Sequence, residues 1–198
     1  MAELVTRRLL QTQAAAADAA LRGGNYAAAF GMYEAQFRLG NPEAGYRLAE
    51  IYARGLGVAV DPGKAFAIYR DLAHRGEIGG EHNLGICYEY GVGVPRDDEK
   101  AATWYRRAAA QGYPLSLFSL GTLYAAGRII PQDDVEGLTL LLEAVEQATG
   151  EDPTSRYIRD NQARYVGLLM ARMTPEAVAK ARQQATARIR DGNPTGSQ

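Results

Sequence analysis

The sequence predicts an all-α fold, a solenoid of helix–turn–helix repeats closed by a C-terminal helical cap. Three observations predict it. A period of 36 residues brings three segments into register, glycine and aspartate recur at the same two joints of each segment, and the apolar positions between the joints keep helical spacing.

The register starts with Leu48, Leu84 and Leu120, continues with Tyr52, Tyr88 and Tyr124 one turn later, and passes through Gly55, Gly91 and Gly127 to Asp61, Asp97 and Asp133. The second half of each unit aligns Ala65, Ala101 and Gly137, then Tyr69, Tyr105 and Leu141, then Ala73, Ala109 and Val145. Leucine and tyrosine four apart share one helix face, so the first helix of each unit buries that face. The glycines stand where that helix stops, because glycine enters the left-handed cap conformation without a steric penalty. The aspartates stand where the second helix starts, where a carboxylate accepts from first-turn amides and faces the positive end of the helix dipole. Asp133 followed by Glu136 has the spacing of a capping box. The small residues Ala49, Gly85, Gly121, Ala65 and Ala101 let helix backbones approach each other.

Between units, Gly40 before Asn41 and Pro42, Gly76, and Gly112 before Tyr113 and Pro114 mark helix ends and first-turn prolines. The array is expected over residues 3–150, with a variant repeat at 3–41 and repeats at 42–77, 78–113 and 114–150. In the variant repeat the first helix lies between Glu3 and Leu21, and Gly24, Tyr26, Ala29, Tyr33, Phe37 and Gly40 mark the second. The period is lost downstream, yet Asp152–Pro153 and Thr174–Pro175 open two more helices. These form a capping pair over 151–190, with a disordered tail at 191–198. The first cap helix presents Tyr157, Ile158, Tyr165, Leu168 and Leu169 to the array. On the second, Val178, Ala181, Ala185 and Ile189 follow helical spacing, leaving Lys180, Arg182 and Arg188 mostly outward.

Leu84, Gly85, Tyr88, Gly91, Gly93, Val94, Pro95, Asp97, Ala101, Trp104, Tyr105, Ala108, Ala109 and Gly112 together resemble the Sel1-like repeat, a relative of the tetratricopeptide repeat with a longer loop. The unit from Ser116 departs from this pattern after Gly127, with Ile129 in place of the second loop glycine and Leu140 and Leu141 in place of the Trp–Tyr pair. The resemblance implies a right-handed α-solenoid whose concave groove, lined by the first helices, binds a protein or peptide.

Composition narrows the function classes. Hydrophobic residues at 46% and charged residues at 23% suit a folded domain, and a net charge of −1 supplies no general field for a phosphate backbone, so no nucleic-acid partner is expected. The single cysteine, Cys87, permits neither an internal disulfide nor a multi-cysteine metal site. His74 and His82 fall on different helices without acidic residues at ligand spacing, so no metal and no cofactor is expected. No run of apolar residues is long enough for a membrane span, and a monomer is expected. The compartment expected is the cytoplasm, or the periplasm if a leader was removed. Thr6, Arg7, Arg8, Leu9 and Leu10 loosely resemble a twin-arginine export motif.

Nucleophilic or acid–base chemistry needs groups brought together, and none can be assembled from this pattern, so the chain is expected not to be an enzyme. The function expected is a non-catalytic scaffold or adaptor that binds a partner protein in the groove. The alternative is a dedicated inhibitor or immunity-type protein blocking one effector enzyme. The inward, unpacked positions of the groove are Tyr46, Glu50 and Arg54 in one unit, His82, Ile86, Glu89 and Tyr90 in the next, and Phe118 and Thr122 in the third. Tyr46, His82 and Phe118 stand 36 apart as a ladder of rings that either holds a ligand or packs between adjacent repeats. Under the ligand reading, truncating Tyr46 and Phe118 together leaves the fold intact.

Gly91→Val is expected to destabilise the chain by about 1–3 kcal/mol, since a β-branched residue is poorly tolerated at positive φ. Urea unfolding with an unchanged midpoint would remove the argument.

Overall fold

The computed structural model describes residues 14–129 and 132–192. Those residues form ten α-helices and no strand: α1 (14–22), α2 (Tyr26–Arg38), α3 (Pro42–Arg54), α4 (Pro62–His74), α5 (Ile78–Tyr90), α6 (Asp98–Ala110), α7 (Pro114–Ala125), α8 (Asp134–Gln147), α9 (Pro153–Met170) and α10 (Pro175–Asp191). The fold is an all-α repeat. The export-like motif at 6–10, the first eleven residues of the variant repeat and the tail beyond Gly192 lie outside the described residues.

The joints are built as their residue types require. Asp61, Asp97 and Asp133 each accept a backbone amide three residues on, from Lys64 at 3.0 Å, Lys100 at 3.0 Å and Glu136 at 2.9 Å. Gly55 and Gly91 close α3 and α5 in the left-handed conformation, with φ of 69° and 70°. The third unit differs by one residue, its cap being Ala126 with the left-handed turn at Gly127. The capping box at Asp133 is half made: both carboxylate oxygens of Glu136 accept from Arg188, at 3.0 and 2.7 Å.

The chain divides into two compact units between Pro95 and Arg96. In the first, a ring contact recurs at the period of the sequence: Phe30 meets Tyr52 edge-on at 5.6 Å, and Phe66 meets Tyr88 in the same geometry at 5.6 Å. Each joins the second helix of one pair to the first helix of the next. The loops add a backbone contact with the same period. A Cβ on Gly57 would strike the Cβ of Tyr26, and one on Gly93 would strike the carbonyl of Pro62. Tyr26 and Pro62 are the first residues of α2 and α4. Each loop therefore seats on the first turn of the preceding second helix, and only glycine fits there.

In the second unit side chains replace that backbone contact. The loop after α7 carries Ile129, 2% exposed, where the glycine would be, and Arg128 beside it binds both oxygens of Asp98, the first residue of α6. Arg96 and Arg128 hold the Asp98 carboxyl down to about 2. One step on, Arg172 in the α9–α10 turn binds both oxygens of Asp134, the first residue of α8, at 2.8 and 2.7 Å, and reaches the carbonyls of Tyr124 and Ala125. Helices α9 and α10 thus dock on α8 by the plan of the earlier pairs, although the period of the sequence has lapsed. Of the residues expected to face the array, Ile158 and Leu169 are fully buried, whereas Leu168 and Ile189 are exposed.

Arg188 turns inward rather than outward. Its guanidinium pairs with Glu136 and lies 3.3 Å from Glu143, whose side chain is fully buried and whose Oε2 has no hydrogen-bond partner. Burial pushes the Glu143 carboxyl up to about 8, and Glu136 adds to the rise against the pull of Arg188. Because the folded state binds this proton more tightly, the contribution is fully present below the ordinary carboxyl range and is lost as pH rises through about 8. Thermal melts are therefore expected to lose a few kcal/mol of stability between about pH 5 and about pH 9, with the loss much reduced in Glu143→Gln. Parallel pH profiles for the two proteins would assign the effect elsewhere.

Candidate functional site

The expected binding surface falls on α3 and α5 of the first unit and α7 of the second. Helix α3 starts where the Asn41 side chain accepts the amide of Glu43 at 3.1 Å, and its outer edge carries a chain of charges. Arg47 bridges Glu43 at 3.3 Å and Glu50 at 3.7 Å, and Arg54 pairs with Glu50 at 2.6 Å. These pairs are half-exposed, so they orient side chains more than they stabilise the fold. Arg47 was not among the residues expected, although its spacing from Glu43 and Glu50 places it on their helix face.

Two rings of the ladder, His82 and Phe118, are buried, and Tyr46 is half-buried. Tyr46 lies across Gly79 of α5, where an added Cβ would stand 2.9 Å from its hydroxyl. His82 is 3% exposed, and burial holds its imidazole down to about 4. Phe118 is 2% exposed and is flanked edge-on by Tyr157 at 5.7 Å and Tyr165 at 5.8 Å, both on α9. Glu89 is buried as well. The expectation that His82, Glu89 and Phe118 stand unpacked is therefore corrected. For Phe118 the reason is visible: α9 lies against α7 and covers the face on which its ring stands.

Glu50, Ile86 and Thr122 are half-buried, as is Tyr46. The Thr122 hydroxyl donates to the Ser119 carbonyl at 2.7 Å. Arg54 is exposed, and Tyr90, the last residue of α5, is 68% exposed. Sequence spacing could not separate these positions from Phe118, because α9, the helix that covers its ring, carries none of the repeat pattern.

Burial pushes the Cys87 thiol up to about 11, so it carries almost no thiolate at neutral pH, and the His82 ring is a neutral imidazole. No group of three His, Cys, Asp or Glu among the described residues could hold a metal ion, and no described helix is long and apolar enough to cross a membrane.

The "Sel1 repeat" family model matches residues 34–76, 79–113 and 114–148. No curated protein matches the sequence. Among solved structures, a protective antigen of uropathogenic Escherichia coli strains displaying an SLR fold superposes with a TM-score of 0.68 at 24% identity over 84% of this chain. This chain spans 34% of the length of that antigen. A Sel1 repeat protein from Oxalobacter formigenes superposes with a TM-score of 0.63 at 23% identity over 91% of this chain and 85% of its own. Both likenesses are likenesses of fold.

Truncating Phe118 now has a definite expectation. Phe118→Ala should cost about 3–5 kcal/mol, as removal of a buried ring does, with loss of near-UV signal from Tyr157 and Tyr165. A melting curve that stays at the wild-type position would return the ring to the list of candidate ligand contacts.

Proposed function

The chain belongs to the Sel1 repeat family, and from that premise we propose that it is a non-catalytic scaffold that holds a partner protein or peptide on the first helices of its repeats. Sel1 repeats generally mediate protein–protein interaction. The observation that carries the reading to particular residues is the exposure of Arg54 at the end of α3 and of Tyr90 at the end of α5, with Tyr46, Glu50 and Ile86 half-buried on the same two helices. Tyr90, at 68% exposure, offers a large amphipathic ring on a rigid helix end, the type of side chain that anchors interfaces. The paired charges of α3 are pre-oriented, with Arg47 and Arg54 flanking Glu50.

A partner suited to this edge carries an apolar or aromatic anchor for Tyr90 and both signs of charge. Lysine or arginine would meet Glu50, and a carboxylate would meet Arg54. His82 and Glu89 are buried on α5 of the same unit, and in the second unit Thr122 is half-buried on α7.

Affinity purification from a lysate followed by titration calorimetry tests the proposal. Tyr90→Ala is expected to weaken capture by about tenfold or more while the melting temperature stays at the wild-type value, since the ring is mostly in water. Arg54→Glu should weaken it further in low salt than in high salt. Unchanged affinity in both variants would place the partner elsewhere. Capture of one enzyme alone, at nanomolar affinity and with loss of its activity, would favour the inhibitor reading over the adaptor.

A further inference from the structure

Helix α10 is held on α8 differently from the way α8 is held on its other neighbours. Among the described helices α10 packs on α8, while α8 packs on α7 and α9 as well. Toward α7 the α8 contacts are close and mostly apolar: a Cβ on Gly121 would strike the Leu141 side chain, and one on Gly137 would strike the Cβ of Tyr124. Toward α10 the helix presents Glu136, Thr139 and Glu143. The fully buried residues of α10 are Ala181 and Ala185, which offer one methyl group each. The Thr139 hydroxyl donates to Val135 of its own helix at 2.7 Å and lies 3.3 Å from the Ala181 carbonyl, so its proton is already engaged within α8. The strong link across the joint is Arg188, which reaches from α10 to two carboxyl groups of α8.

One guanidinium serves those two groups unequally. Glu136 takes both terminal nitrogens, at 3.0 and 2.7 Å, and Glu143 is left with a 3.3 Å contact to one of them. The Glu143 side chain is entirely buried, and its second oxygen has no hydrogen-bond partner. The charged groups that act on it are Arg188 from α10 and Glu136 from its own helix, while α7 carries no charged residue and no charged group of α9 acts on it. With Glu143 ionised, the cluster holds two negative charges against one positive charge largely out of water, and one carboxylate oxygen faces no donor. With Glu143 protonated, the cluster is neutral as a whole. Burial accordingly pushes the Glu143 carboxyl up to about 8.

The turn that leads into α10 is anchored independently of this cluster. Arg172 binds both oxygens of Asp134 and the carbonyls of Tyr124 and Ala125, two residues before Thr174 caps α10. A change of backbone angles at residues 173 and 174 therefore frees α10 without unseating α9. We infer that α10 is a proton-latched cover of α8, docked while Glu143 is protonated and released as a unit when that proton leaves for solvent, with α7, α8 and α9 remaining packed. Release lets water reach the ionised carboxylate, and on the α10 side it exposes two buried alanines. The balance favours release because an unpaired buried charge is far more costly than two methyl groups returned to water.

Hydrogen exchange of the full chain read by mass spectrometry, corrected for the intrinsic exchange rate at each pH, follows this release helix by helix. Protection of the α10 amides is expected to fall by about tenfold per pH unit from about pH 5 and to level beyond about pH 8, the slope of one proton bound in the docked state alone. Amides of α7 and α9 are expected to keep their protection over the same range. Glu143→Gln, which mimics the protonated carboxyl, is expected to flatten the α10 profile, and Glu136→Gln, which leaves Arg188 to Glu143 alone, to make it shallower. Circular dichroism checks that both fold, and the second variant reads the latch if the first does not. A wild-type α10 profile without slope overturns the inference. So does loss of protection in α7 and α9 in step with α10, or the full wild-type slope retained in a folded variant.

Discussion

The contact on which the rest of the structure depends is the seat of each interhelical loop on the first turn of the preceding second helix. A helix pair of about a dozen residues per helix cannot bury its apolar face alone, so its stability lies in how it meets its neighbour. The first turn is a good place to meet, because its amides are still unpaired within the helix and its end of the dipole is positive. In the first unit the contact is made by backbone, through Gly57 and Gly93, and the ring pairs Phe30–Tyr52 and Phe66–Tyr88 set the spacing beside it. In the second unit Asp98 and Asp134 occupy the first-turn positions, and arginines grip them from the loops. The same mechanical task is met by removal of a side chain in one half and by a forked ion pair in the other.

That exchange shows where sequence reasoning reaches and where it stops. Position of the helices was legible, since Asp61, Asp97 and Asp133 at fixed intervals and glycines at the opposite joints act through local backbone chemistry alone. The Glu136 half of the capping box was not, because its carboxylate is claimed by Arg188 from more than fifty residues away. Arg188 itself sits on a helix face that its own segment marks as outward, and only the placement of α10 on α8 turns it in. Local rules predicted local contacts, and at Glu136 and Arg188 they failed because a distant helix competed for the same atoms.

The binding surface was legible in the same measure. Choosing first-helix positions by register brought Arg54 and Tyr90 to accessible places, but it also selected Phe118 and His82, which are buried. Periodicity identifies equivalent positions without saying whether the next helix lies on top of them. Phe118 is covered because α9 follows the docking plan of a repeat without its sequence pattern, and nothing in the sequence between Glu151 and Met173 marks Arg172 as the residue that enforces this. The burial of Glu143 beside Arg188 has the same origin, and it leaves one carboxyl inside the second unit far from its ordinary range.

The two kinds of loop seat differ in what they demand of a neighbour. A glycine resting on a backbone asks nothing of the side chain beneath it, and the residues it meets in the two instances, Tyr26 and Pro62, have nothing in common chemically. A seat of that kind selects for shape and not for charge, so side-chain complementarity in the first unit is left to the ring pairs Phe30–Tyr52 and Phe66–Tyr88 beside it. Arg128 and Arg172 each require an aspartate on the helix pair before, so each of those joints is keyed by charge to its own neighbour. Raising the ionic strength or protonating the aspartates therefore acts on the joints of the second unit and leaves the glycine seats of the first untouched.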